Sequence, residues 1–398
     1  MQCRRNGSFL LPNCHKFPES GYTKRVMFSG FREKLALAAQ SPRYVGNRVR
    51  NRVWGPDGAS FPSDITLFLT DRCNFACKMC HYGEARAGRL TELRTDMPLT
   101  LVDKASSEAS RYGAFVELFG GEPLLHPEIA EAVRIASRKN VVVTLTTNGL
   151  LLPRMARALV ENRVHIVRIS LDGWDEPSQQ ARGNVADSFQ AILDGIRELS
   201  SLKNGSAFPS VRMVTVITKV NCDKLHRIQS EIYAAGVRHW TILNYEFITK
   251  AAVDAHRQSG FGDRFIGDPV ESGGYLGAGE VAGLRRSLVE VQRNARSAMR
   301  DMQVRYPWHV DLERYYSDSP PSQRSVCTMP LTRVDIHRDG RIALCGDGHT
   351  IGNLHDTAIR NAWTGERMRQ FRAVWHKTAA FPMCFRCCGI ENTIGFDQ

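Results

Sequence analysis

Residues 71–83 have the sequence DRCNFACKMCHYG, which contains three cysteines in the spacing C-x3-C-x2-C. These cysteines are Cys73, Cys77 and Cys80. The next cysteine along the chain is Cys222, so the loop offers three thiol ligands where structural zinc sites and most iron–sulfur clusters use four. Three thiolates leave one coordination position open for a small chelating molecule. Zinc with His81 as the fourth ligand is the alternative, although two adjacent residues fit a tetrahedral site poorly.

Short apolar runs that alternate with helical segments begin at residue 65. The runs predict six β-strands, at residues 65–70, 115–120, 141–148, 166–173, 211–218 and 239–247. Between them, apolar residues recur at the spacing of amphipathic helices, as in SFQAILDGIRELSSL. Continuous apolar strands joined by helices are typical of a parallel sheet with right-handed crossovers. The predicted fold class is therefore α/β, with a partial (β/α)6 TIM-like barrel.

Each predicted strand ends in a polar cluster. In chain order the clusters are CNFACKMC, GGEP, TNG, LDG, TKVN and NYEF. Because the C-terminal ends of parallel barrel strands form one rim, these six clusters are expected to line a single cavity. Their convergence predicts where the active site lies without naming its chemistry.

The composition of the 398 residues limits the class of protein. The eleven cysteines are an odd number and are clustered, which favours metal or redox sites in a reducing, cytoplasmic compartment over a disulfide framework. No run approaches the roughly 20 apolar residues of a membrane span, so no membrane association is expected. The net charge is +12, and residues 1–52 contribute most of it. This arm could meet nucleic-acid phosphates, but it lacks interleaved aromatic residues.

The cysteine loop, GGEP and SLDG together resemble the radical S-adenosylmethionine (SAM) superfamily, from residue 65 to about residue 247. The resemblance implies that Cys73, Cys77 and Cys80 bind a [4Fe–4S] cluster whose fourth iron is chelated by the amino and carboxylate groups of SAM. It also implies reductive cleavage of SAM to a 5′-deoxyadenosyl radical, which abstracts hydrogen from a substrate. The electron would come from a donor such as flavodoxin or ferredoxin.

The same resemblance implies contacts between SAM and the rim clusters. Gly120, Gly121 and Glu122 correspond to the motif beside the methionyl amino group, where Glu122 can accept a hydrogen bond from the ammonium. Arg182 is expected to pair with the SAM carboxylate. Further polar contacts to the methionyl and ribose parts are expected from Thr146, Asn148, Ser170 and Asp172.

A second group of cysteines lies near the end of the sequence. It comprises Cys327, Cys345, Cys384, Cys387 and Cys388. The segment RVDIHRDGRIAL predicts a β-hairpin that turns at Asp339–Gly340. The pattern resembles the auxiliary-cluster domain of radical SAM enzymes, called SPASM or, when shortened, twitch. The resemblance implies one auxiliary [4Fe–4S] cluster on Cys327, Cys345, Cys384 and Cys387. Cys388 is then spare, and a zinc knuckle on the same four thiols is the alternative.

Four regions and two further candidate residues complete the prediction. The regions are a basic, partly disordered N-terminal arm (1–60), the radical SAM core barrel (61–250), a lid or linker with a helix (251–320) and a SPASM/twitch-like domain (321–398). Glu246, at the end of the sixth predicted strand, is a candidate for contact with substrate. Cys222 is a candidate hydrogen donor for a redox-neutral reaction.

The predicted function is a radical SAM enzyme of the oxidoreductase type. The substrate is oxidised or rearranged after hydrogen abstraction, with help from the auxiliary cluster. A small polar metabolite, such as an aminocyclitol, a sugar or a nucleoside, is preferred because the arm carries no clear precursor-recognition module. A ribosomally synthesised peptide is the alternative substrate. A zinc- or cluster-containing nucleic-acid-binding protein is the alternative from another class.

Overall fold

The computed structural model describes residues 42–58, 60–77, 80, 96–258, 276–308, 310–317, 327–345, 349–378 and 380–387. The strands are β1 Asp64–Phe68, β2 Phe115–Phe119, β3 Val143–Thr147, β4 Ile166–Ser170, β5 Ser210–Val216, β6 His239–Leu243, β7 Gln303–Arg305, β8 Arg333–Ile336, β9 Arg341–Leu344 and β10 His349–Asn353. They form one sheet in the order β10-β9-β8-β1-β2-β3-β4-β5-β6-β7.

Helices surround this sheet. They are α1 Pro42–Gly58, α2 Leu99–Tyr112, α3 Ile129–Arg138, α4 Leu152–Glu161, α5 Glu176–Gly183, α6 Ser188–Leu202, α7 Leu225–Ala234, α8 Lys250–His256, α9 Ala278–Arg296, α10 Leu312–Tyr315, α11 Met329–Thr332, α12 Ile359–Thr364 and α13 Glu366–Thr378. Short 3-10 helices span Pro123–Leu125 and Pro382–Arg386. None of the helices in the described part of the chain is long and apolar enough to cross a membrane.

Strands β1 to β7 form the predicted partial barrel, each parallel to the next. The six predicted strands are β1 to β6, and the structure adds the short strand β7. The predicted strands extend one to four residues past the strands of the structure, because most of the predicted ranges included residues of the polar clusters at the rim. On β6, for example, pairing ends at Leu243, although the predicted run reaches Phe247.

The barrel strands bury one face against the helices. On β2, Val116 and Leu118 are buried in the apolar core together with Val102 and Ala105 of α2. Glu117 lies between these two strand residues and is partly exposed. Because successive strand residues point to opposite faces, Glu117 faces the interior of the barrel. The interior face therefore carries the polar side chains.

Part of the region 251–320 completes the barrel. Helix α9 packs against α7, where the Gln229 side chain donates to the carbonyl oxygen of Val291 at 3.2 Å, and β7 pairs with β6. The helix predicted for this region thus belongs to the outer helix layer. The glycine-rich stretch 259–275, to which the lid prediction also refers, lies outside the described residues.

The C-terminal strands extend the barrel sheet. Strand β8 runs parallel to β1, and β9 returns antiparallel to β8. The turn between them ends at Gly340, whose φ of +81° suits glycine, so the predicted hairpin at Asp339–Gly340 is confirmed. The region of the second cysteine group therefore shares one continuous sheet with the barrel.

Helix α1 belongs to the region that was predicted as a partly disordered arm. The Asn47 side chain donates hydrogen bonds of 3.0 Å to the carbonyl oxygens of Pro62 and Gly113, just before β1 and β2. Tyr44 stacks on Phe115 with ring centroids 3.5 Å apart. The helix is therefore packed against the N-terminal end of the barrel, while residues 1–41 lie outside the described part of the chain.

Candidate active site

The three-cysteine loop leaves the C-terminal end of β1. Phe75 N–H donates to the Cys73 sulfur at 3.5 Å, and Cys80 N–H donates to the carbonyl oxygen of Cys77 at 3.1 Å. Burial raises the pKa of the Cys77 thiol to about 11 and also raises the pKa of Cys73. The thiols therefore need a compensating positive charge to become the thiolates that bind iron. His81, the zinc alternative's fourth ligand, lies outside the described residues.

Arg182 supplies a positive charge beside this loop. Burial works against its charged form, but Asp172 and the three thiols raise the pKa of Arg182. Its Nε lies 2.8 Å from Asp172 Oδ2, and its Nη1 donates to the carbonyl oxygen of Ser170 at 2.7 Å. The structure thus brings Ser170, Asp172 and Arg182 together near the cysteines.

Asp172 makes its contacts within the protein. It is 4% exposed, and its Oδ1 accepts a hydrogen bond of 2.7 Å from Val216 N–H at the end of β5. Burial raises the pKa of Asp172, and Arg182 partly offsets this effect. The carboxylate therefore fixes Arg182 between β4 and β5, and its contact with SAM stays a prediction.

The glycine-rich segment is hydrogen-bonded to the chain that leads into the cysteine loop. Gly121 N–H donates to the carbonyl oxygen of Thr70 at 2.8 Å, and Glu122 N–H donates to that of Arg72 at 2.7 Å. Gly120 has a φ of +134°, and a Cβ at this position would lie 2.5 Å from the Thr70 carbonyl oxygen. The close approach of these two backbones therefore requires glycine.

The carboxylate of Glu122 is fully buried and already hydrogen-bonded. It accepts hydrogen bonds from Leu124 N–H at 3.1 Å, the Thr147 hydroxyl at 2.6 Å and Asn148 N–H at 2.7 Å. Burial raises the pKa of Glu122 despite these donors. Glu122 thus joins the end of β2 to the end of β3. Its contact with the ammonium of SAM stays a prediction.

Asn148 and Thr146, both predicted to contact SAM, lie in different surroundings. The Asn148 side chain donates to Asn74 Oδ1 at 2.7 Å, which ties the end of β3 to the cysteine loop. The Thr146 hydroxyl instead donates to Glu117 at 2.8 Å in the barrel interior, so the structure does not bring Thr146 to the loop. Sequence analysis missed Asn74, although its place between the first two cysteines is a signal that could have identified it.

The second cysteine group forms a separate candidate site. Cys345 interacts electrostatically with Cys327, Cys384 and Cys387, so these four thiols face a common space. Burial raises the pKa of Cys327 to about 12 and raises the pKa of Cys345 and Cys384 as well. Cys327 is buried, Cys384 and Cys387 are half-buried and Cys345 is exposed. Four neighbouring thiols suit a metal cluster, which binds them as thiolates and compensates their charge. Cys388 lies outside the described residues.

A single metal ion needs three or four ligands close together. Among the described residues, no three histidine, cysteine, aspartate or glutamate side chains are grouped to hold one ion. A [4Fe–4S] cluster binds each of its thiolates through a different iron. The donor sets of both groups fit such clusters.

Arg386 ties the second cysteine group to the end of β6. Its Nε and Nη2 donate to the carbonyl oxygens of Tyr315 at 2.8 Å and Ser317 at 2.6 Å. Its guanidinium lies 4.3 Å from the ring centroid of Phe247. Glu246, the residue before this phenylalanine, acts electrostatically on Cys384. The structure therefore places Glu246 between the barrel rim and the second cysteine group.

Cys222, the candidate hydrogen donor, lies in the apolar core. It is 3% exposed, and its thiol donates to the carbonyl oxygen of Lys219 at 3.7 Å. Burial raises the pKa of this thiol. The structure therefore does not bring Cys222 to either cysteine group.

The β8–β9 turn links the two candidate sites. Arg338 in this turn forms an ion pair with Asp71, two residues before the first cysteine of the loop. Its neighbour His337 stacks on Phe68 at the end of β1, with ring centroids 4.8 Å apart. The hairpin that leads to Cys345 is therefore anchored directly on the cysteine loop.

Comparison with known families identifies the class of protein. Residues 67–229 match the radical SAM superfamily, and residues 327–388 match SPASM, an iron-sulfur cluster-binding domain. The chain therefore carries a radical SAM domain followed by a C-terminal SPASM domain. The first domain implies SAM and a [4Fe–4S] cluster, and the second implies auxiliary iron–sulfur clusters, so zinc is the wrong interpretation of the second cysteine group.

Curated relatives match this chain over different lengths. The "Probable GTP 3',8-cyclase" of Halobacterium salinarum is 34% identical over 159 residues, which are 38% of this chain and 42% of the cyclase. The chain thus matches less than half the length of that relative. The "Tungsten-containing aldehyde ferredoxin oxidoreductase cofactor-modifying protein" of Pyrococcus furiosus is 24% identical over 366 residues, 84% of this chain and 90% of that protein.

Solved structures share the fold at low sequence identity. Streptococcus suis SuiB bound to S-adenosylmethionine has a TM-score of 0.55 and 16% identity, over 79% of this chain and 68% of SuiB. The anSMEcpe protein with bound AdoMet has a TM-score of 0.59 and 16% identity, over 81% of this chain and 88% of that chain. The predicted α/β partial barrel with a C-terminal cluster-binding domain is confirmed.

Asp172→Asn should destabilise the fold strongly, because it leaves the buried guanidinium of Arg182 without its carboxylate. We expect a loss of about 3 kcal/mol in the free energy of unfolding, measured by urea denaturation with circular dichroism. The matched control is Asp194→Asn on α6, which breaks an exposed ion pair of 2.7 Å with Arg197 and should cost no more than about 0.5 kcal/mol. Equal losses in the two variants would contradict the role assigned to Asp172.

Gly120→Ala should lower the free energy of unfolding more than Gly236→Ala does, although both glycines have a positive φ. Gly236 has a φ of +93° and no atom within 4 Å of an added Cβ, so Gly236→Ala tests backbone strain alone and should cost about 1 kcal/mol. Gly120→Ala adds the contact with Thr70, and we expect about 3 kcal/mol. Both values come from urea denaturation. A similar cost for both alanines would show that the close approach at Thr70 relaxes freely.

Proposed function

We propose that this chain is a radical SAM enzyme that oxidises or rearranges a substrate after abstracting a hydrogen atom from it. The observation that supports the proposal most is the arrangement at the barrel rim. Three buried or half-buried thiols follow β1, and the ends of β2, β3 and β4 are joined to the same loop through Gly121, Asn148 and Arg182. A cluster with three thiolate ligands needs a fourth ligand from a bound molecule, and several strand ends must meet at the loop to hold that molecule.

The three thiolates of Cys73, Cys77 and Cys80 would hold the SAM-binding [4Fe–4S] cluster. When bound, this cluster would supply the electron that cleaves SAM to methionine and a 5′-deoxyadenosyl radical, and this radical would take the hydrogen atom from the substrate. A small reduced protein such as flavodoxin or ferredoxin would donate the electron. The protein would contribute position and charge at this site.

The rim residues would orient SAM. Gly120 and Gly121 let the backbone approach the methionyl amino group, while Glu122 keeps the ends of β2 and β3 together. Asp172 and the Ser170 carbonyl oxygen each contact one nitrogen atom of the Arg182 guanidinium. A guanidinium has five N–H donors, so donors are left for the SAM carboxylate. Asp172 then acts as a positioning residue for Arg182.

The SPASM domain would hold one auxiliary [4Fe–4S] cluster on Cys327, Cys345, Cys384 and Cys387. Its place beside Glu246 and the end of β6 puts a redox group next to the substrate cavity. Glu246 is exposed and can contact the substrate there. An oxidative reaction could pass the electron left after hydrogen abstraction to this second site.

A small polar metabolite of the aminocyclitol, sugar or nucleoside type is the substrate class we propose. The barrel interior carries polar side chains such as Glu117, Thr146 and Arg168, and the curated relatives named above refer to GTP and to a cofactor. A peptide substrate has weaker support. SuiB bound to its precursor peptide SuiA shares 17% identity with this chain, and a likeness of that degree concerns the fold alone.

Cys77→Ala should abolish 5′-deoxyadenosine formation, because two thiolates cannot hold the open cluster. The assay uses anaerobically reconstituted, dithionite-reduced protein with SAM and quantifies 5′-deoxyadenosine by chromatography. Cys222→Ala is the matched control and should retain SAM cleavage, since its thiol lies in the apolar core. Full SAM cleavage by the Cys77→Ala variant would overturn the proposed function.

Cys345→Ala should remove the auxiliary cluster and spare SAM cleavage. The iron content is expected to fall from about eight to about four per chain, while the SAM-perturbed electron paramagnetic resonance signal of the first cluster remains. Unchanged iron content would refute the proposed ligand set. Loss of the iron of both clusters, together with the SAM-perturbed signal, would mean that the two sites do not load independently.

A further inference from the structure

Three arginines from distant parts of the chain meet on one surface of the molecule. They are Arg43 in α1, Arg111 in the last turn of α2 and Arg360 in α12, and all three are exposed. The Arg111 and Arg360 guanidinium groups lie 5.4 Å and 5.3 Å from the ring centroid of Tyr112. Arg43 Nη1 donates to the carbonyl oxygen of Ser110 at 3.3 Å. We call the three arginines and Tyr112 the Tyr112 surface.

Acidic side chains do not neutralise this surface. Among the residues that the structure describes, none of the three arginines forms an ion pair with a carboxylate. Glu108 of α2 instead accepts hydrogen bonds from the backbone N–H groups of Ile359 and Arg360, at 2.8 Å and 3.1 Å. Lys104 is exposed seven residues before Arg111, on the same side of α2, because seven residues make about two helical turns. The cations therefore outnumber the carboxylate here.

Backbone contacts fix the three segments that carry these arginines. Gly113, the residue after Tyr112, has a φ of +76°, and a Cβ at this position would collide with the backbone of Arg43. The start of α1 and the end of α2 thus approach as closely as glycine allows. Glu108 ties α2 to the start of α12. The like charges are held close together before any partner arrives, and a pre-organised surface loses little entropy when it binds.

The Tyr112 surface lies close to the segment that follows Cys327. Tyr112 packs on Phe61 with ring centroids 4.7 Å apart. The Asn51 side chain donates to the carbonyl oxygens of Phe61 at 2.8 Å and Leu331 at 3.3 Å. Leu331 belongs to α11, which begins two residues after Cys327. The surface is therefore connected through α11 with the second cysteine group.

Arg372 makes a second connection between the same segments. Its Nη1 and Nε donate to the carbonyl oxygens of Trp363 in α12 at 3.2 Å and Pro330 in α11 at 3.3 Å. Arg360 lies three residues before Trp363, which is about one helical turn. A protein that docks on the Tyr112 surface would therefore lie beside the second cysteine group.

We propose that the Tyr112 surface binds a small acidic electron-transfer protein, the reductant of this enzyme. This inference rests on the proposed function, because that function requires an electron donor. Arginine and tyrosine are enriched among the residues that carry most of the binding energy in protein interfaces. A positive surface also speeds the encounter with an acidic partner. The reduced partner loses one electron, an iron–sulfur site of this chain gains it, and no bond forms or breaks.

A second copy of this chain fits the Tyr112 surface poorly. The common two-fold interface brings the same patch of both subunits together. The arginines of one copy would then face those of the other, and like charges across an interface repel each other. An acidic partner has the complementary charge.

Isothermal titration of the cluster-reconstituted, SAM-loaded protein with a purified acidic flavodoxin tests the surface. Wild type should bind one equivalent at low ionic strength, and the affinity should fall steeply toward about 1 M salt, where the Debye length is about 3 Å. The double variant Arg111→Gln, Arg360→Gln should bind about tenfold more weakly, because it loses two exposed charge pairs.

The matched control is the double variant Arg157→Gln, Arg197→Gln. These arginines lie on the outer helices α4 and α6, and their side chains are 71% and 55% exposed. The control lowers the net charge by the same amount as the Arg111→Gln, Arg360→Gln variant. It should bind flavodoxin as wild type does, so the comparison separates position from total charge.

Formation of 5′-deoxyadenosine is measured in parallel with two reductants, reduced flavodoxin and dithionite. With flavodoxin below its dissociation constant, the Arg111→Gln, Arg360→Gln variant should be about tenfold slower than wild type, in proportion to its weaker binding. With dithionite the two proteins should be equally fast, because a small reductant needs no docking surface.

The outcomes separate this inference from the proposed function. Absence of flavodoxin binding by wild type, wild-type binding by the Arg111→Gln, Arg360→Gln variant, or an equal loss in the control would overturn the docking surface. Binding of an RNA or DNA oligonucleotide in place of flavodoxin, lost in the same variant, would overturn the acidic protein as the occupant. If this variant fails to fold by circular dichroism, Arg43→Gln, Arg360→Gln carries the same test. Absence of 5′-deoxyadenosine from wild type with dithionite, together with flavodoxin binding that depends on these arginines, would defeat the proposed function and leave the surface standing.

Discussion

Strand β1 forms parallel ladders with β2 on one side and with β8 on the other, and the cysteine loop leaves it between these two neighbours. The loop is therefore fixed from both sides. The backbone after β2 is hydrogen-bonded to Thr70 and Arg72, while Arg338 of the β8–β9 turn pairs with Asp71. The strand ladders hold the cysteine loop at the end of β1. The other contacts at the rim, including the one that Asn148 of β3 makes with the loop, depend on this position.

Buried charge is the second constraint at the rim. Bringing thiols out of water raises the pKa of Cys73 and Cys77, so forming thiolates there requires a cation. Arg182 is that cation, and it is itself buried. It is tolerated because Asp172 forms an ion pair with it and the Ser170 carbonyl oxygen accepts one of its hydrogen bonds, since an unpaired buried guanidinium would cost several kcal/mol. Arg182 therefore stabilises the thiolates of the loop, and Asp172 in turn stabilises Arg182.

Local pattern was sufficient to predict β1 to β6, their helices and the rim clusters, because each strand–helix unit carries its own periodicity. Long-range pairing was not predictable: nothing near residue 333 indicates that β8 lies beside β1. Helix α1 was hidden by its basic composition, and β7 is too short to form a pattern. Glu122 and Asp172 were predicted near SAM, and the structure places them at the rim. A sequence cannot distinguish a carboxylate that binds a cofactor from one that binds its own chain, so their partners within the protein were missed.

The pairing of β1 with β8 has a consequence for synthesis of the chain. The two strands are separated by 269 residues in sequence, as their flanking residues Ser63 and Thr332 show. At about 5 to 20 residues per second, the ribosome needs roughly 15 to 50 s to pass from one to the other. During this time one edge of β1 has no partner strand, and an open edge is prone to pair with other chains. Production of the protein should therefore depend on chaperones that protect the nascent chain, and slow translation at low temperature would lengthen the exposure of this edge.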